Sequence, residues 1–81
     1  MSTTIHIQYF AILREQRGVN EENITTDAPT AKELYAQLQK QHRFSLSTDL
    51  VRVSVNNEFK SWDTAIKSGD EIVFIPPVAG G

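Results

Sequence analysis

Glu71-Ile72-Val73-Phe74-Ile75-Pro76-Pro77-Val78-Ala79-Gly80-Gly81 closes the sequence and carries most of its architectural information. From Ile72 to Ile75 it is apolar on both faces, the composition of a strand in the middle of a sheet. Pro76 and Pro77 stop that strand. Ile75, preceding a proline, is pushed into extended geometry, and the Pro-Pro pair favours a stiff, extended segment. Side chains then shrink from Val78 through Ala79 to Gly80 and Gly81. Residues 1–75 therefore read as a folded domain and 76–81 as an extended tail. Six extended residues reach roughly 20 Å.

Working back from that strand, Ser68-Gly69-Asp70 is a turn, and residues 62–66 form a loop or a single helical turn around Trp62. Val51, Val53 and Val55 alternate with Arg52 and Ser54 at strand period. Asn56-Asn57 suits a tight hairpin because Asn tolerates positive φ, with Glu58-Phe59-Lys60 as the short return. Residues 43–49 are a polar connection containing Phe44 and Leu46. Ahead of it lies the most securely patterned helix. Ala31, Leu34, Tyr35 and Leu38 make one apolar stripe opposite Lys32, Gln37, Gln39 and Lys40, ending near His42. Thr30-Ala31-Lys32-Glu33 reads as a capping box, Thr30 accepting from Glu33 N–H and Glu33 reaching back to Thr30 N–H. Asp27-Ala28-Pro29 breaks the chain before it.

At the start, Ile5, Ile7 and Tyr9 alternate with His6 and Gln8, another strand. Residues 10–17 lose that alternation and favour helix formers, and Gly18 ends them. Residues 19–26 read as a second strand folding back on the first. The order is strand, strand, helix, strand, short strand, strand, with a short helix inside the first hairpin. One main helix over one face of a mixed sheet is an α+β layer architecture. First and last strands adjacent at its centre give the β-grasp (ubiquitin-like) arrangement.

Bulk properties narrow the function classes. Eighty-one residues make one small domain, which buries only about 60% of its unfolded surface. There is no cysteine, so neither a disulfide nor a protein thiolate is available. Net charge is −2, and no Lys/Arg-rich stretch marks a nucleic-acid surface. Apolar runs are too short for a membrane span. Residues 1–4 show no basic region followed by an apolar core, so a cytoplasmic location is expected by default. His6 and His42 are expected to be solvated, and no metal site is expected.

The tail is the candidate chemical site. Glycine lacks a Cβ, so another protein's backbone and a nucleotide can approach it closely. A carboxylate is a poor electrophile until activated. Adenylation by ATP gives an acyl-adenylate whose AMP a sulfur donor can displace. A thiocarboxylate on Gly81 would carry sulfur without any cysteine.

Tyr9-Phe10-Ala11, Leu13-Arg14-Glu15, Gly18, Pro29-Thr30, Val55-Asn56, Gly69-Asp70-Glu71-Ile72 and Phe74 through Gly81 together make the chain resemble the MoaD family of molybdopterin synthase small subunits, within the ThiS/MoaD-like superfamily. The likeness runs over nearly the whole length, and the Pro-Pro-Val-Ala-Gly-Gly end is its most specific part. Where that family carries an aromatic residue before Pro76, this chain has Ile75, a difference that touches packing.

The resemblance implies a sulfur carrier of molybdenum cofactor biosynthesis that is not catalytic alone and binds no cofactor. An adenylating enzyme would activate Gly81 at the expense of ATP, and a sulfurtransferase or cysteine desulfurase would supply sulfur. Pro76, Pro77, Val78, Ala79 and Gly80 would insert into a large subunit, where cyclic pyranopterin monophosphate takes the sulfur. Assembly as a heterotetramer of two small and two large subunits is implied in the same way.

Phe10, Val73 and Ile75 read as an apolar patch on the sheet face away from the helix. It would dock the large subunit and the activating enzyme, or else belong to the core. Arg14 and Glu15 suit capping or pairing beside the short helix, with contact to an acidic partner open for Arg14. Two other functions share the tail: a ubiquitin-like modifier joined through Gly81 to lysines, and a carrier for thiamine synthesis or tRNA thiolation. A plain interaction domain with an inert tail is the remaining possibility.

Overall fold

A computed structural model describes residues 2–77. The chain runs β1 (Thr3–Tyr9), α1 (Ala11–Arg17), β2 (Glu21–Thr26), α2 (Ala31–His42), β3 (Arg52–Val55), β4 (Glu58–Lys60) and β5 (Glu71–Ile75). The strands form one mixed sheet in the order β2-β1-β5-β3-β4. β1 and β5 are parallel and central, with Ile7 opposite Ile72 and Tyr9 opposite Phe74. The other pairings are antiparallel. This is the expected β-grasp order, with the first and last strands side by side.

Strand alternation sorts the side chains into two faces. Ile5, Ile7 and Tyr9 of β1, Val53 and Val55 of β3, and Ile72 and Phe74 of β5 are buried. They meet Ala31, Leu34, Tyr35 and Leu38, the apolar stripe of α2. Tyr35 sits at the centre, 5.1 Å from Phe74 and 5.4 Å from Trp62 between ring centroids. Its hydroxyl donates to the Leu46 carbonyl at 2.6 Å, so burial leaves no polar atom stranded there. Trp62 is half-buried, as expected, and its indole N–H donates to the Thr48 carbonyl at 3.1 Å.

Local chemistry explains the boundaries. Gly18 stops α1 in the left-handed region (φ 91°), its N–H reaching the Arg14 carbonyl. Asn56 and Asn57 both take positive φ (52° and 71°), which a two-residue turn between Val55 and Glu58 requires. Thr30 accepts from the Glu33 N–H at 3.3 Å.

Several expectations change in detail. Only half of the capping box forms among the described residues: Glu33 does not return the bond, and Thr30 instead bridges to Ala65. β1 begins two residues earlier than expected, while β2 and β3 begin later. Residues 62–66 take no helical turn, because their backbone pairs with the start of α2 through Ala31 N–H to Thr64 O and Ile66 N–H to Pro29 O. Among the described residues, no helix is long and apolar enough to cross a membrane.

Candidate functional site

β5 delivers the chain from the middle of the sheet to the base of the tail. Pro76 is still buried there and Pro77 is exposed. Beside them lies a hollow of about 620 Å³ lined by Phe10, Ala11, Ile12, Leu46, Ile75, Pro76 and Pro77. Among the described residues, no charged side chain lines it. Phe10 is 46% exposed although it follows the fully buried Tyr9. The reason is local: Phe10 is extended (φ −127°) and Ala11 takes a left-handed φ of 52°, so the chain breaks direction as β1 passes into α1.

The opposite wall is anchored by hydrogen bonds. The Leu46 carbonyl accepts from Tyr35 Oη and from Gln39 Nε2 at 3.1 Å, both on α2. Gln16 of α1 binds Ser45 twice, donating to its hydroxyl and accepting its backbone N–H. Leu46 is thereby tied to α2 and its neighbour Ser45 to α1, so bonds within the domain support this wall of the hollow.

The expected docking residues are brought together in part. Phe10 and Ile75 share the hollow at the tail root. Val73 lies on the same open face of the sheet but lines no part of the hollow, and both Val73 and Ile75 are half-buried rather than core. Arg14 is exposed and borders a separate recess with Gln8, Tyr9, Phe10, Asn20 and Glu21. Pro76 and Pro77 form the tail root. Val78, Ala79, Gly80 and Gly81 lie outside the described residues.

Two residues that the sequence did not single out complete the open face. Phe59 is 65% exposed and pairs with Ser54, which pairs in turn with Val73. Arg52 pairs with Ile75, its guanidinium 6.0 Å from the Phe59 ring centre. Hairpin register could have revealed Phe59: a two-residue turn at Asn56-Asn57 places it opposite Ser54.

The ionic contacts also differ from expectation. Arg14 and Glu15 make no ion pair among the described residues; Arg17 pairs with Glu22 instead, at 2.7 Å. Glu22 also accepts from the Tyr9 hydroxyl at 2.6 Å. Burial, reinforced by that bond, raises the Tyr9 phenol above its ordinary range. His6 is not freely solvated: Nδ1 meets the Asn23 side chain at 2.8 Å and Nε2 meets Glu21 at 3.2 Å. His42 is half-buried, and burial lowers its pKa. Among the described residues, no cluster of three or more His, Cys, Asp or Glu could hold a metal ion.

A five-stranded mixed sheet with one main helix across one face and a tail leaving the central strand is a ubiquitin-like β-grasp protein. The ThiS family matches residues 7–81, and the chain belongs to that family. It is 34% identical to the molybdopterin synthase sulfur carrier subunit of Haemophilus influenzae, over 95% of this chain and 99% of that one. Among solved structures it resembles the putative molybdopterin converting factor subunit 1 of Pyrococcus furiosus (TM-score 0.79, 28% identity, 94% of this chain and 99% of that one). SAMP1 of Haloferax volcanii is similar too (0.78, 26%, 96% and 99%). So is a chain of the complex of subunits 1 and 2 of the molybdopterin-converting factor of Helicobacter pylori (0.65, 28%, 98% and 100%).

Proposed function

We propose that the chain is the sulfur carrier of molybdopterin synthesis, acting through a carboxylate on Gly81. The observation that carries this reading is the placement of the tail root. The central strand ends in Pro76-Pro77 at the rim of an apolar hollow, which supports a tail presented beside exposed apolar surface. The likeness to sulfur carrier subunits over nearly the full length supports the same reading.

The chemistry needs little from this chain beyond presentation. In an activating enzyme, a carboxylate oxygen of Gly81 attacks the α-phosphorus of ATP and pyrophosphate leaves. A hydrosulfide then attacks the acyl carbon and AMP leaves, giving the thiocarboxylate directly; with a persulfide donor the product is an acyl disulfide, whose S–S bond a donor-side thiol must cleave, forming a disulfide as the thiocarboxylate is released. Glycine suits both steps because no Cβ obstructs the approach. The loaded tail, residues 76–81, then enters a large-subunit partner like the one paired with subunit 1 in the Helicobacter complex. There sulfur passes to cyclic pyranopterin monophosphate. Phe10 and Ile75 bury against that partner around the tail root, with Val73 and Arg14 at the margins. ATP is consumed by the activating enzyme, and this chain retains no cofactor.

Likeness to SAMP1, a small archaeal modifier protein, favours one competing reading: conjugation of Gly81 to lysine amines. Intact mass after incubation with the activating enzyme, ATP and a sulfur donor separates the two. Exchange of one oxygen for one sulfur at Gly81 is expected. Lysine adducts on other proteins without that exchange assign the modifier role, and an unaltered mass refutes both.

A further inference from the structure

Charge on the open face of the sheet is unevenly placed. Away from the tail, His6 is bonded to Glu21, and Glu71 stands at the start of β5. Beside the tail root stands Arg52, exposed and without an ion pair among the described residues. It borders a recess of about 220 Å³ whose other walls are Leu50, Ile75, Pro76 and Pro77. Leu50 and Phe59 are 53% and 65% exposed. The guanidinium is therefore a cation bordered by the apolar Leu50, Ile75, Pro76 and Pro77, 6.0 Å from the Phe59 ring centre.

We propose that Arg52 is a specificity residue of the docking face, taking a carboxylate on the protein that receives the tail. This rests on the carrier reading and adds the partner's chemistry: an apolar surface with one acidic side chain next to the entrance for Pro76-Pro77. The physical reason is desolvation. Once a partner covers Leu50, Phe59 and Ile75, water leaves the guanidinium. A facing carboxylate then interacts in a low-dielectric setting, whereas a partner without one strands a buried charge. Rejection of wrong partners follows from that penalty more than from added affinity. Phe59 restricts where the guanidinium can sit before contact.

The test is calorimetric binding of the intact chain to the large synthase subunit of the same organism, from low to high salt. Arg52→Met keeps the apolar stem and is expected to weaken binding roughly 10-fold or more. It should also flatten the salt dependence, because the lost interaction is ionic. Arg52→Glu should weaken binding further, and Arg52→Lys should restore part of it. Thermal melts of each variant check the fold; should Arg52→Glu melt early, Arg52→Met decides. Unchanged affinity, a loss equal at all salt concentrations, or no binding by the unaltered chain overturns the proposal. Thiocarboxylate formation on Gly81, followed separately by mass, keeps the two readings apart. Its failure strikes the carrier role, whereas normal loading with indifferent Arg52 variants strikes this inference alone.

Discussion

Glu22 takes three donors at once: the Tyr9 hydroxyl, Arg17 Nε and an Arg17 terminal nitrogen, all within 2.8 Å. The bonds from Arg17, then that from Tyr9, hold its carboxyl below the ordinary value of 4.5 against the opposing effect of burial. His42 lies below its ordinary 6.5, because burial disfavours the imidazolium and Arg17 repels it. Both folded pKa values are depressed, so both groups contribute stability above their unfolded values and lose it as the pH falls through the folded ones. Urea unfolding from neutral to acid pH is therefore expected to weaken in two stages. The first begins below 6.5 from His42 and the second below 4.5 from Glu22. His42→Gln should remove the first stage. Glu22→Gln should remove the second and cost about 2 kcal/mol at neutral pH through the lost charge-assisted bonds.

Among the elements, the β3–β4 hairpin shows two neighbouring asparagines doing different work. Asn57 supplies its positive φ of 71° and, among the described residues, no side-chain hydrogen bond. Asn56 supplies positive φ and a side-chain bridge, its Nδ2 donating to Asp70 and its Oδ1 accepting the Glu71 N–H, each at 3.0 Å. That bridge fastens the hairpin to the start of β5, where Asp70 also accepts the Lys67 N–H at 2.8 Å. Asn57→Gly is thus expected to leave the melting temperature unchanged or slightly raised, since glycine takes positive φ without strain. Asn56→Gly should cost about 1–2 kcal/mol, the worth of two hydrogen bonds, one part-buried and one exposed. Thermal melts of the two variants side by side check this, and equal effects would disprove the distinction. α1 differs again: a seven-residue helix is too short to persist alone, and it is pinned by buried Leu13, the Arg17–Glu22 pair and the Gln16–Ser45 clamp.

At the scale of the whole molecule, one sheet face is sealed by α2 and the other left open around Phe59, Val73 and Ile75. Stability and presentation are thereby separated. The core of the described residues lies between Ile5 and Phe74, ahead of the tail root. Deleting Gly81 is therefore expected to leave the melting temperature unchanged while abolishing thiocarboxylate formation. Phe10→Glu should also fold, because that side chain already meets solvent, yet lose binding to the large subunit. Loss of fold in Phe10→Glu would return Phe10 to the core. Melting curves paired with copurification distinguish these outcomes.

Element order, the α2 stripe, the Asn56-Asn57 turn and the Gly18 stop were all legible in sequence, because periodicity, capping and positive φ depend on residues close in the chain. Phe10, Ile75 and the Pro76-Pro77 exit, named from the sequence, line one hollow in the structure. The Tyr9–Glu22–Arg17 cluster, the bonded state of His6, the Leu46 wall and the setting of Arg52 were not legible in sequence. Each joins side chains from different elements, and cross-strand register together with the lie of α1 decides which of them meet. By itself the sequence determined a small β-grasp chain with a tapering Gly-Gly end. Only tertiary structure decided that Pro76 and Pro77 leave the sheet beside an apolar hollow with Arg52 close by, since side chains far apart in sequence become neighbours only when β1, β3 and β5 align.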